Sequence, residues 1–138
     1  MPEKKTVERA HEAAREGKAP ATQAGAFVEE EIRHVREGKH GARSAKQAIA
    51  IGLSKARRAG VKLPPPKKGT TSEETREKAK RDSKEAGARK QPSARRSAAT
   101  MSALRKEGRQ AATSSALSRQ ASQAARRRRQ RNAATQAA

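Results

Sequence analysis

The side chains that could carry acid–base or metal chemistry are His11, His34, His40 and 14 Asp or Glu residues, and the chain has no cysteine. None of the three histidines stands at triad spacing from a serine or carboxylate, and no HExxH or paired-ligand pattern occurs. The glycines form neither a GxxxxGK[ST] loop nor a GxGxxG turn. Carboxylates alternate with bases along helical stretches, so no general acid–base pair stands out. This reading expects no enzyme activity, no metal site and no cofactor.

Cations are the informative class. There are 34 Lys plus Arg residues against 14 acids, a formal net charge of +20. Such a charge repels itself in a compact state, and a polyanion relieves the repulsion. Residues 1–63 carry net +6, residues 64–91 net +4 and residues 92–138 net +10, with Glu107 as the single acid of that last third. Phosphate backbones require closely spaced cations on an element long enough to follow the duplex. The candidate contacts are Lys46, Lys55, Arg57 and Arg58 in the first half of the chain. In the second half they are Arg95, Arg96, Arg105, Lys106, Arg109, Arg119, Arg126, Arg127, Arg128, Arg129 and Arg131. Arginine predominates there and suits bidentate phosphate contact. A merely solubilising or salt-tolerant surface would more often be acidic.

The same composition narrows the mode of binding. Phe27 is the sole aromatic residue, so single-strand recognition by base stacking has no platform. Gln47 or Arg43 on a second helix could reach base edges, but nothing requires it. Duplex DNA held through its backbone is the simpler expectation.

These cations need helices to position them. Residues 44–60 open with Ser44 and Gln47 as a capping box and close at Gly60 before Pro64. Ala45, Ile49, Gly52, Leu53 and Ala56 fall on one face, with Lys55, Arg57 and Arg58 off it. A helix over 22–37 is expected from Thr22 as cap and the apolar series Phe27, Val28, Ile32 and Val35. A shorter one over 3–16 stops at Gly17. The echo of Arg15-Glu16-Gly17-Lys18 in Arg36-Glu37-Gly38-Lys39 marks a repeated helix stop. The link Gly38–Arg43 is short enough for helices 22–37 and 44–59 to form an αα-hairpin. Phe27, Val28, Ile32 and Val35 would then face Ile49, Leu53 and Ala56, under Val61 and Leu63.

Beyond the hairpin, Pro64, Pro65 and Pro66 read as a stiff spacer. Thr71 and Glu74 would cap a helix reaching about residue 86, which has nothing more apolar than alanine and is expected to lie in solvent. After a break at 87–93, Ser93 would cap a helix carrying Ala98, Met101 and Leu104 and ending at Gly108. Residues 110–129 are Ala, Ser, Gln and Arg apart from Thr113, with Leu117 the one larger apolar residue.

The expected fold is therefore all-α without a sheet: a helical module over 1–63, a Pro-rich linker over 64–70, and a basic tail over 71–138. That tail is expected to be disordered or transiently helical when free. Only 14 residues are Val, Ile, Leu, Met or Phe, and nine of them lie between 27 and 63. A core of that size is marginal alone, so a homodimer is a candidate assembly. No apolar run approaches the ~20 residues of a membrane span, and the N-terminus lacks a signal-peptide pattern. No membrane partner is expected, and the expected location is the cytoplasm, at the nucleoid.

The run from Lys46 to Gly60, with Phe27–Ile32 and Gly38–Gly41 before it, resembles the core of a family of small basic bacterial proteins of uncharacterised function. Such proteins are often described only as DNA-binding or plasmid-associated. The resemblance spans about residues 20–63 and implies a bacterial source and DNA binding, with no site residues to carry over. The Ala/Arg/Ser/Pro tail is similar in composition to linker-histone tails. The sequence thus points to a non-enzymatic, largely sequence-independent DNA-binding protein of nucleoid-associated, histone-like type. Two alternatives are an RNA-binding or ribosome-associated protein and an adaptor for an acidic protein.

Overall fold

In the computed structural model the described residues are 2–68, 71–85 and 94–137. They form helices α1 (Lys4–Arg15), α2 (Pro20–Arg36), α3 (Ala45–Arg58), α4 (Glu73–Lys84), α5 (Ala94–Arg105) and α6 (Ser114–Ala137). A 3-10 turn at Gln110–Ala112 precedes α6. The fold is all-α; a single bridge between Lys68 and Thr71 is the only extended pairing among the described residues.

Local chemistry explains most of the boundaries. At α3 the Ser44 hydroxyl accepts the Gln47 amide at 3.1 Å. The Gln47 side chain, however, takes the amide of Arg43 at 2.6 Å and not that of Ser44. Helix α2 begins three residues earlier than the Thr22 cap implied. Pro20 occupies its first turn after Ala19, where the fixed proline φ suits a helix and the missing N–H is not needed. The repeated stop is real. Gly17, Gly38 and Gly60 have φ of 74°, 76° and 103°. Each is followed by the same closing bond, from Lys18 to Ala13, Lys39 to His34 and Val61 to Ala56.

The α2–α3 hairpin packs through small residues. A Cβ placed on Gly52 would lie 2.7 Å from Val28 Cα, so only glycine permits this separation of the two helices. The buried face of α3 is Ala45, Ala48, Gly52, Ala56 and Arg57. Ile49 is only partly buried, which corrects its expected place in the core. Two backbones this close leave room for alanine between them and push the bulkier Ile49 to the flank. One cluster joins Phe27, Ala24, Ala56 and Val61 with Ala10 of α1, flanked by Val7, Leu53 and Leu63. A second joins Val35, Ala42 and Ala48 with Ala111 and Ala112 of the 3-10 turn.

Helix α4 is capped by Ser72, whose hydroxyl accepts the Thr75 amide at 3.2 Å, and not by Thr71. It is not fully solvated: Ala79 and Asp82 are buried, and α4 packs against α3. Arg76 also donates to the Pro66 carbonyl at 2.9 Å. The expected Ser93 cap and the whole break at 87–93 lie outside the described residues. The end of α5 docks on the α2–α3 loop, with the Gly41 and Ala42 amides donating to the Leu104 and Gly108 carbonyls at 2.8 and 3.1 Å. Thr113 caps α6 by accepting the Ala116 amide at 3.2 Å. Among the described residues no helix is long and apolar enough to cross a membrane.

Candidate nucleic-acid interface

Helix α6 runs unbroken through the arginine cluster. At about 100° per residue, Arg127, Arg128 and Arg131 share one face with Ala124, while Arg119, Arg126 and Arg129 fall on the other side. The first face turns toward the start of α3. Lys46, Ala124, Arg127, Arg128 and Arg131 line an open cleft of about 370 Å³. No acid lines it. The positive end of the α3 dipole adds to the four side-chain charges. Arg127 and Arg131 are a like-charge pair at i, i+4, unfavourable by a few tenths of a kcal/mol unless an anion lies between them.

The other cations differ in availability. Arg95, Arg96, Arg105, Lys106, Arg109 and Arg119 are exposed. Arg105 and Arg109 share a second cleft with Glu37 and Glu107, whose carboxylates oppose an incoming phosphate. The Arg109 side chain also lies against Gly38.

The cations in the last turn of α3 face inward or toward acids. The Lys55 ammonium bonds Glu31, a carboxylate with 1% side-chain exposure. Arg57 is 7% exposed and donates to the Pro64 carbonyl at 3.1 Å. Burial pulls its guanidinium below the ordinary value, partly opposed by the Asp82 charge. Arg58 lies 3.7 Å from Asp82 and remains half exposed. Lys55 and Arg57, expected among the contact residues, are engaged within the fold, because the hairpin and α4 both close over that side of α3. Lys46 and Arg58 remain at the surface.

Sequence reasoning did not anticipate a buried polar cluster where the start of α1 packs on the second half of α2. Glu30 and Glu31 are 1% and 0% exposed. Glu31 meets Lys55, His40 Nε2 at 3.1 Å and His34 Nδ1 at 4.0 Å. Glu30 accepts the Glu3 amide and the Thr6 hydroxyl at 2.6 and 3.1 Å, and its second oxygen is buried without a partner. Glu3 closes the group by bonding His34 and Arg33 at 3.0 and 2.6 Å. These two partners, His34 first, hold the Glu3 carboxyl down to about 2 from its ordinary 4.5. The one available signal was Glu31-x-x-His34, an i, i+3 pair on a helix, with His40 just past the Gly38 stop.

A protein-family model described as a family of unknown function (DUF6496) matches residues 4–68. That stretch holds α1, α2, α3, the buried polar cluster and Lys46, whereas the arginine face of α6 lies beyond it. No curated protein and no solved structure matches the chain.

Proposed function

We propose that this protein binds duplex DNA through its phosphate backbone, largely without regard to sequence, in a nucleoid-associated role and without enzymatic activity. The observation that carries the reading is the convergence of Lys46 with Arg127, Arg128 and Arg131 in one acid-free cleft. Two segments 80 residues apart in the sequence place their cations together there, at the usual cost of like-charge repulsion. A phosphate relieves that repulsion, and arginine pairs with it in bidentate fashion. Helix α6 has 24 residues, about 36 Å at 1.5 Å per residue, which matches roughly one turn of B-form DNA. Its outer arginines, Arg119, Arg126 and Arg129, would reach a second strand or a neighbouring duplex.

The test is binding to a random 30-base-pair duplex across a salt series, with structured RNA of equal length as competitor. Wild-type protein is expected to show log K falling with log salt at about 0.9 per phosphate contacted. Replacing Arg127, Arg128 and Arg131 together by alanine should lower that slope by two to three. Equal loss from replacing Arg95 and Arg96 instead would overturn the cleft as the principal contact. Preference for RNA at every salt concentration would replace the DNA reading, and weak binding to both at low salt would end it.

A further inference from the structure

We infer that Glu31, His34 and His40 form a binding site for one divalent transition-metal ion, zinc by its donor set, which clips α2 to the α2–α3 loop. The inference does not depend on nucleic-acid binding. Its basis is the orientation of the two imidazoles. His40 Nδ1 faces the Gly41 carbonyl at 2.9 Å, an acceptor only, so that nitrogen carries the proton. The other ring nitrogen, His40 Nε2, faces Glu31 Oε2, 3.1 Å away. His34 is arranged the same way: Nε2 is bonded to the Glu3 carboxylate at 3.0 Å, and Nδ1 is turned to Glu31 Oε1 at 4.0 Å.

Two imidazole nitrogens and a carboxylate therefore converge, and a metal ion held between them would take all three as ligands. In each ring the far nitrogen is held by a carboxylate or a carbonyl, the outer-sphere arrangement that fixes tautomer and orientation at metal-binding histidines. Tetrahedral zinc with bonds of 2.0–2.1 Å holds its donors about 3.3 Å apart, close to the 3.1 Å between His40 Nε2 and Glu31 Oε2. Donor atoms of all three residues lie within 4.8 Å of one another. Two nitrogens and one oxygen without thiolate suit zinc over calcium or magnesium. Glu31 can offer Oε2 to the metal while Oε1 keeps Lys55, and water completes the fourth position.

The site is centred on Glu31, a buried carboxylate paired with Lys55, at the point where the loop must be anchored. Lys55 is the competing cation, and its charge holds the metal affinity down.

The test is titration of chelator-stripped full-length protein with Zn²⁺ by calorimetry and with Co²⁺ by visible absorption. One equivalent should bind, with a tetrahedral Co²⁺ spectrum and a rise in Tm. His11→Gln should leave binding unchanged. Glu3→Gln should weaken it by about 10- to 100-fold, the loss typical of an outer-sphere partner, and His40→Gln should weaken it further. Lys55→Met should tighten it, whereas a purely internal ion pair would give no uptake in any variant. If His40→Gln loses its helical circular dichroism, the Lys55→Met result decides: tighter binding upholds the site, and unchanged or weaker binding overturns it. Absence of saturable uptake by the wild-type protein also overturns it.

Discussion

The amide of Gly41 donates to the carbonyl of Leu104 at 2.8 Å, which fastens the α2–α3 loop to the end of α5. This bond and its neighbour from Ala42 to Gly108 carry the chain onto the Val35 cluster, where Ala111 and Ala112 complete the burial. The arginine helix that follows is thereby set beside α3, and the cleft at Lys46 depends on that docking.

A side chain at position 41 should undo the arrangement. A Cβ there would lie 1.9 Å from the Glu107 carbonyl oxygen and 2.3 Å from its carbon, backbone atoms that cannot swing aside. Gly41→Ala is expected to cost about 1–3 kcal/mol, the usual price of overpacking. Amide exchange should rise over 104–112 while α1–α3 stay protected. Unchanged exchange at 104–112 would refute the docking.

The two glycines of the hairpin should respond in opposite directions. Gly52→Ala forces α3 away from Val28 and should destabilise by about 1–3 kcal/mol. Gly25 lies within α2 with nothing near its Cβ position. Gly25→Ala should therefore stabilise by about 0.5–1 kcal/mol through helix propensity alone. Urea midpoints of the two variants check both signs.

Asp82 should matter more than an acid on a polar helix ordinarily does. It is 7% exposed, beside Arg58 and the buried Arg57. Asp82→Ala leaves the Arg57 charge buried without its counter-ion and should destabilise by about 1–3 kcal/mol. Asp82→Glu should recover part of that, and amide protection of α4 reports the result. A loss below about 0.5 kcal/mol would mean that α4 is held by other contacts.

Acid sensitivity follows from Glu3. Its folded value of about 2 lies below the ordinary 4.5, so the folded state binds fewer protons than the unfolded chain between these limits. The stabilisation is full above pH 4.5 and is lost as pH falls toward about 2. Measured on chelator-treated protein, Glu3→Gln should flatten the decline in stability across that window. A decline identical to wild type would place the acid sensitivity elsewhere.

Helix existence was legible because its causes are local. The capped start at Ser44, the glycine stops and the apolar spacing of Phe27, Ile32 and Val35 each act within a few residues. Caps competing among neighbouring hydroxyls were less so: Thr71 and Ser72 are both good caps, and the structure uses Ser72. The net charge and the absence of stacking aromatics likewise needed no coordinates.

The sequence alone therefore determined an all-helical chain, its stops, and a strongly cationic composition. Tertiary structure decided which cations remain available. Lys55 and Arg57 share a helix with Lys46, yet the first two are closed over by α2, α4 and the proline segment, and only Lys46 meets the arginine face of α6. It also decided that Glu31, His34 and His40 would converge, since the turn at Gly38 brings His40 back over α2. Periodicity reports which face a residue occupies; it carries no record of what the chain later folds against that face, and burial and charge pairing are set there.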